Sequence, residues 1–509
     1  MNRRDFLKLT AAATLASPRL RSASSSAARL WGDPLPTQLL GMLPVGAPES
    51  VFELFLLGGL NAWDTFYVVP EFGDPARGGP YAGQQWWTFQ STVDNIPDFH
   101  AACGGGQRPL LVPWARDSAG RQVHLGPFIH PLRDRPDLLA RMRVFVVSHE
   151  EEPHQAAVPL VMGGHRRGSR RLAGMGAHVA RYWQEHGDPT RTAPYSYALA
   201  PDRDTVTALD AEVVSAVGLH PGSARPLSVR IRAENPLATE LARPAFGGRR
   251  DAADAALEWY AQRYGERLGS GLERPRSRAY QDYRFALEAL RKSSDLGQLF
   301  TPEVLQNRAG AACGTAVDTD VTAMGLELAT HLLTSPVHQA RYTLLVETGL
   351  VEAGCGGYDT HEHHVQFGSR NVVHTFGEFV KRINEPGEAD PRKLDLDKHL
   401  VLVTTEMGRT PFPQSGSEGL LGLNHWPYGF VCIAFGGFVD EDRAGIVGAI
   451  GEDGRATEYV TPGELRAALL LASGIWPFSL EAFNVATVRG ASTELDAALR
   501  LRQLLGYPA

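Results

Sequence analysis

Only four cysteines occur in 509 residues, Cys103, Cys313, Cys355 and Cys432. They are too scattered for a zinc ribbon or a Cys-x-x-Cys redox pair. In an oxidising compartment they allow one or two structural disulfides, with three pairings open if all four are used; free buried thiols are the alternative. Long apolar runs are also missing. Past the N-terminal segment nothing approaches the roughly 18 apolar residues that span a bilayer, so the mature chain is expected to have no stable membrane span. Basic residues are in deficit, with 50 Lys and Arg against 57 Asp and Glu and a formal net charge of −7. That balance argues against nucleic acid as a partner. No internal repeats are found.

The N-terminus carries a recognisable address. Arg3-Arg4-Asp5-Phe6-Leu7-Lys8 is followed by a short, weakly apolar run at 9–16 and a small-residue tract at 22–28. This is the pattern of a twin-arginine export signal cleaved near Ala27 or Ala28. It predicts the twin-arginine translocation machinery as a partner and a periplasmic or extracellular mature protein. Removing 1–28 takes away five basic residues and one acid, which moves the net charge from −7 to −11.

Residues 29–509 read as one large α/β domain. Short, continuous apolar and β-branched runs at 51–57, 144–147, 342–346, 399–404 and 430–435 are the mark of strands buried on both faces. A mainly parallel central sheet covered by helices follows. Ala255, Leu257, Trp259 and Tyr260, then Phe285, Leu287 and Leu290, recur at helical spacing among charged residues, predicting a helical insertion at about 240–310. A further helix is expected at 321–333 and a surface loop at 382–397.

The chemistry concentrates late in the chain. Gly356-Gly357-Tyr358-Asp359-Thr360-His361-Glu362-His363-His364 follows the apolar run at 342–346, which predicts a strand that ends in Gly-Gly and then delivers carboxylate and imidazole ligands to one point at a sheet edge. The run at 400–404 leads into Thr405-Glu406-Met407-Gly408-Arg409-Thr410-Pro411, a carboxylate and a guanidinium at the strand end where open α/β sheets bind ligands. Gly422-Leu423-Asn424-His425-Trp426-Pro427 offers another imidazole. At the junction Val147-Ser148-His149-Glu150-Glu151-Glu152-Pro153-His154, Ser148 is a candidate nucleophile and His149 or His154 a candidate base or ligand. Glu150, Glu151 and Glu152 read either as metal ligands or as first-turn helix acids. Asp117-Ser118-Ala119-Gly120 reads as a turn.

These segments together resemble the exported, sulfatase-like family known as domain of unknown function 1501, within the alkaline phosphatase superfamily. The resemblance also covers Gly58-Gly59-Leu60-Asn61-Ala62-Trp63-Asp64-Thr65 and His130-Pro131. It implies an alkaline phosphatase-like layered α/β fold and a divalent metal ion, zinc, manganese or calcium. The implied metal site comprises Asp359, His361 and His425, with Asn61 and Asn424 at two further positions and Glu406 either as a ligand or as the support of a ligating histidine; Arg409 would grip a small anionic substrate, and the junction residues Ser148 and His154 are the candidates for catalysis.

Two departures weaken that implication. Asn61 and Asn424 stand where the family pattern has aspartate, so two ligands lose their charge and a dication is held less tightly; Asp64 is a candidate replacement. The sulfatase signature of Cys or Ser followed at fixed spacing by Pro and Arg is absent. Two expectations result: a metal-dependent hydrolase of phosphatase or sulfatase type acting on an anionic ester, or a non-catalytic exported protein of the same fold with a degenerate metal site, acting in binding or assembly.

Overall fold

The computed structural model describes residues 31–508 apart from 32, 77–81, 90–95, 107, 167–172, 189–190, 194, 204–205, 207–225, 233–254, 257, 261, 264–298, 301–303, 353 and 414–421. The export signal expected at 1–28 and most of the insertion expected at about 240–310 lie outside the described residues.

The five apolar runs become β1 (Ser50–Leu56), β2 (Met142–Val147), β5 (Tyr342–Glu347), β6 (His399–Thr404) and β7 (Phe430–Gly436), and three further strands join them, β3 (Tyr197–Pro201), β4 (Leu227–Ile231) and β8 (Gly445–Val447). They form one sheet in the order β8-β2-β7-β6-β1-β5-β3-β4. Every pairing is parallel except those of β7, which runs against β6 and β2. The sequence marks β7 as buried but carries no sign of its direction, and β4 escapes notice because Ser228 and Arg230 interrupt its apolar residues.

Alternation along β1 explains why its run is continuous. Phe52, Leu54 and Leu56 enter one core, while Val51, Phe55 and Leu57 enter another on the opposite face. The helices, numbered in chain order, are α1 (His154–Gly163), α2 (Met175–His186), α3 (Val321–Thr334), α4 (Arg370–Val380), α5 (Pro462–Ala472) and α6 (Glu494–Leu504). Leu326, Leu332 and Phe376 of α3 and α4 join the first core; Val158, Val179, Leu469 and Leu501 of α1, α2, α5 and α6 join the second. Helix ends are set locally. Asp320 caps α3 through Ala323 N–H (2.9 Å), and Thr461 with Glu464 forms a capping box at α5.

One charge pair crosses between layers. Glu53, in the middle of β1, is fully buried with Arg466 of α5 and receives hydrogen bonds from Arg466 Nη1 (2.7 Å), Tyr342 (2.5 Å) and Thr404 (2.7 Å). Burial pushes its carboxyl up, but the charge and hydrogen bonds of Arg466, with those of Tyr342 and Thr404, outweigh it and hold the group below the usual carboxylate value. Cys103 and Cys313 form a disulfide across 210 residues of sequence, while Cys355 and Cys432 are free.

Two local expectations change. The strand before the ligand cluster ends at Glu347, and Gly356-Gly357 come only after an intervening loop. Helix α1 starts at His154, so Glu150, Glu151 and Glu152 precede it and are not first-turn acids.

Candidate metal centre

The loops after β1, β2, β5 and β6 meet at the carboxyl edge of the sheet, the edge where open α/β sheets place their ligands. Two glycines make the approach close enough. Gly58, after β1, has φ +115°, and a Cβ there would lie 2.3 Å from Asp359 N; Gly356 has φ +115°, and a Cβ there would lie 2.3 Å from Leu57 O. Backbone therefore packs on backbone, and Asp359 is drawn over the end of β1.

Asp359 is the centre of the cluster. Its Oδ1 lies 3.1 Å from His361 Nε2, 3.4 Å from His425 Nε2 and 3.5 Å from His154 Nε2, and it also accepts from the Arg409 guanidinium. The Cys355 backbone N–H donates to Oδ2 (2.7 Å). Burial alone would push the Asp359 carboxyl up; the facing imidazoles of His154, His361 and His425 and the charge of Arg409 outweigh it and hold the group far below the carboxylate range.

The imidazoles are oriented from behind. His154, the first residue of α1, donates from Nδ1 to Glu406 Oε1 (2.7 Å), and that oxygen also accepts the Gly58 N–H (2.8 Å). His425 donates from Nδ1 to Glu152 O (3.1 Å). Each outer bond fixes the ring so that its inner Nε2 faces Asp359, and a lone pair is presented there once that nitrogen carries no proton, the arrangement that supports metal-binding histidines. For His154, burial lowers the pKa, but Asp359 and Glu406 outweigh it and raise the group to about 9.

The spacing fits a cation. His361 Nε2 and His425 Nε2 are 3.1 Å apart, so with Asp359 Oδ1 they form a triangle whose sides are 3.1 to 3.4 Å. A tetrahedral ion with bonds of about 2.0–2.1 Å holds its ligand atoms about 3.3–3.4 Å apart. Two ligand-grade groups occur among the described residues, Asp359 with His361 and His425, and His154 with Cys355 and Asp359. An imidazole-rich donor set suits zinc better than calcium. The His361 side chain is 41% exposed and that of His154 is 5% exposed, so the cluster opens on the His361 side.

The other anticipated residues have different surroundings. Glu406 is fully buried behind His154. Arg409, also fully buried, donates to Asp359, Gly58 O, Tyr358 O (3.1 Å) and Leu423 O (3.2 Å). Its role here is to hold Asp359, and its neighbour across a two-residue antiparallel pairing is His425. Asn61 accepts from Trp63 N–H (3.1 Å), and its Nδ2 lies 3.0 Å from His364 Nε2. His364 also contacts Asp64 Oδ2 (3.0 Å) and Thr360 Oγ1 (2.5 Å). Asn61, Asp64 and His364 thus form a buried knot beneath the cluster. Asn424 Oδ1 accepts from His425 N–H (2.8 Å). Ser148 donates to Tyr428 O (3.1 Å), and His149 uses Nε2 on Glu406 O (2.7 Å) and Nδ1 on Glu151 N–H (3.1 Å).

Ser148 and His149 line an adjoining cavity of about 580 Å³ with Glu150, Arg166, Tyr428 and Arg455. The cavity and the cluster share a wall: Tyr428 donates to Glu152 Oε1 (2.6 Å), and the same residue's carbonyl orients His425. The Arg455 guanidinium stacks 4.1 Å from the Tyr428 ring centroid, which fixes a cation on that wall. Cys355 is the group that sequence reasoning missed. Its place four residues before Asp359 is the only signal it gives.

Fold and site together define an α/β protein with a candidate metal centre at the carboxyl edge of a mainly parallel sheet. The chain belongs to the DUF1501 family, described as "Protein of unknown function (DUF1501)", which it matches over residues 49–484. No match is found among curated proteins.

Proposed function

We propose that this chain is an exported, metal-dependent hydrolase of the phosphatase or sulfatase type, built on an alkaline phosphatase-like fold and acting on an anionic ester. The observation that carries the reading is the Asp359, His361 and His425 triangle, whose sides match the ligand spacing of a tetrahedral ion. A dication held there would supply Lewis-acid polarisation of an ester oxygen and of attacking water. Asp359 and the imidazoles would hold it, Arg409 keeps the carboxylate in place, and Glu406 and the Glu152 carbonyl keep the Nε2 atoms of His154 and His425 turned inward. Arg166 and Arg455 on the neighbouring cavity favour an anionic substrate group. The twin-arginine pattern and the Cys103–Cys313 disulfide support export to an oxidising compartment. No helix among the described residues is long and apolar enough to cross a membrane.

One observation favours a second reading, a binding or assembly protein with a degenerate site. The Arg409 guanidinium is taken up by Asp359 and three carbonyls, so it has no free edge with which to grip a substrate. Assays of protein exported from its native host against aryl phosphate and aryl sulfate esters, with and without added zinc or manganese, separate the two. Metal-dependent turnover lost in His361→Ala supports the hydrolase; bound metal without turnover of any ester supports the second reading.

A further inference from the structure

Cys355 lies on the enclosed side of the cluster. Its sulfur, His154 Nε2 and an Asp359 oxygen fall within 4.8 Å of one another, near enough for one ion to touch all three after side-chain shifts on the ångström scale. The His154 side chain is 5% exposed, and its Nε2 has no hydrogen-bond partner; the nearest carboxylate oxygen, Asp359 Oδ1, is 3.5 Å away, too long for a good bond. Because Nδ1 donates to Glu406, release of the proton on Nε2 leaves a lone pair facing the carboxylate and the thiol. An imidazole nitrogen without a close partner, a carboxylate and a half-buried thiol meet in this corner, and a cation between them would satisfy all three.

We propose that His154, Cys355 and Asp359 form a second cation position, distinct from the more open Asp359, His361 and His425 position, and that the Cys355 thiolate restricts it to thiophilic divalent ions such as zinc. Asp359 then bridges the two positions. Binding breaks the S–H bond of Cys355 and the Nε2–H bond of His154: sulfur and nitrogen each keep the electron pair and donate it to the ion, and both protons leave to solvent. Burial, with the neighbouring charges of Asp359 and Glu406, pushes the free thiol up, and the ion's own charge reverses that balance. Magnesium, calcium and manganese prefer oxygen ligands and are disfavoured at this position. The proposal rests on the metal-centre reading above and adds a position and a selectivity to it.

The test strips the full mature chain of metal with a chelator and titrates it with cobalt(II) alone. Two ions per chain are expected, the second bringing thiolate-to-cobalt charge-transfer absorption in the near ultraviolet. Cys355→Ser should retain one ion and lose that absorption; Cys355→Ala should behave the same, since both keep the backbone N–H that supports Asp359. Uptake of a single ion with no thiolate absorption, or an unchanged spectrum in both variants, overturns this proposal and leaves the open position standing. Uptake of no cobalt overturns the metal-centre reading itself, and this proposal with it.

Discussion

His154 Nδ1 and Glu406 Oε1 lie 2.7 Å apart, and this one bond turns the Nε2 of a histidine at the start of a helix inward to Asp359. The same Glu406 oxygen accepts the Gly58 N–H and the other carboxylate oxygen accepts from Thr405, so the group is held from behind and its effect is to orient. Glu406→Gln should lower metal affinity by about 10- to 100-fold, the range for partners behind a ligating histidine, while leaving the fold intact. Competition with a chromogenic chelator measures it. An affinity equal to wild type would remove Glu406 from the account.

Arg409 supplies the counter-charge for Asp359 from a fully buried position. Replacing it with Met leaves a buried carboxylate without its partner and frees the Gly58, Tyr358 and Leu423 carbonyls. A loss of about 3–5 kcal/mol is expected, read from urea denaturation. A loss below about 1 kcal/mol, the scale of an exposed pair, would show that Arg409 is not holding the site.

Glu53 and Arg466 give a second, independent test of buried charge. Either Glu53→Gln or Arg466→Met alone should destabilise by about 3–5 kcal/mol, whereas replacing both with apolar residues of similar volume should cost much less. The coupling appears directly in a double-mutant cycle. Strict additivity would contradict the bond between sheet and α5 described here.

Much of this was legible in the sequence. Five strands stand out because a strand covered on both faces must be apolar at successive positions, as β1 is with Phe52 and Val51 in different cores. Asp359 and His361 announce themselves because they are two residues apart. His154, His425 and Glu406 are brought in from distant loops; each reads as a candidate at its own strand end or loop, but nothing in their spacing says that they meet. Arg409 was the harder residue, since a guanidinium beside a site reads equally well as a substrate clamp or as a buried prop. Asn61 is near Asp359 in the chain's topology, yet its amide turns to His364, a side-chain orientation that no spacing encodes. Cys355 carried no pattern that separates a ligand from a disulfide cysteine.

The disulfide predicts a stability effect confined to oxidising conditions. Opening Cys103–Cys313, which closes a span of 210 residues, should cost about 2–5 kcal/mol. A Cys103→Ser, Cys313→Ser double variant compared with reduced wild type checks this. Equal thermal midpoints for oxidised and reduced protein would contradict it.

Acid should weaken the fold through His100. Burial first, then the charges of His130, Arg133 and Arg108, lower its pKa to about 4. The unfolded chain takes up a proton near pH 6.5 while the folded chain does not. The contribution of His100 is therefore full above 6.5, falls as pH drops, and has been lost below about 4. His100→Gln should flatten the urea midpoint between pH 7 and 4 relative to wild type. Parallel profiles for the two proteins would rule out this origin.

The most direct measurement is the metal content of protein exported in its native host, by elemental analysis, beside an Asp359→Ala variant of matched circular dichroism. The account predicts a stoichiometric divalent ion in the wild type and its loss in the variant. Wild-type protein with no divalent ion, and with a thermal midpoint that added zinc or manganese does not move, would contradict it.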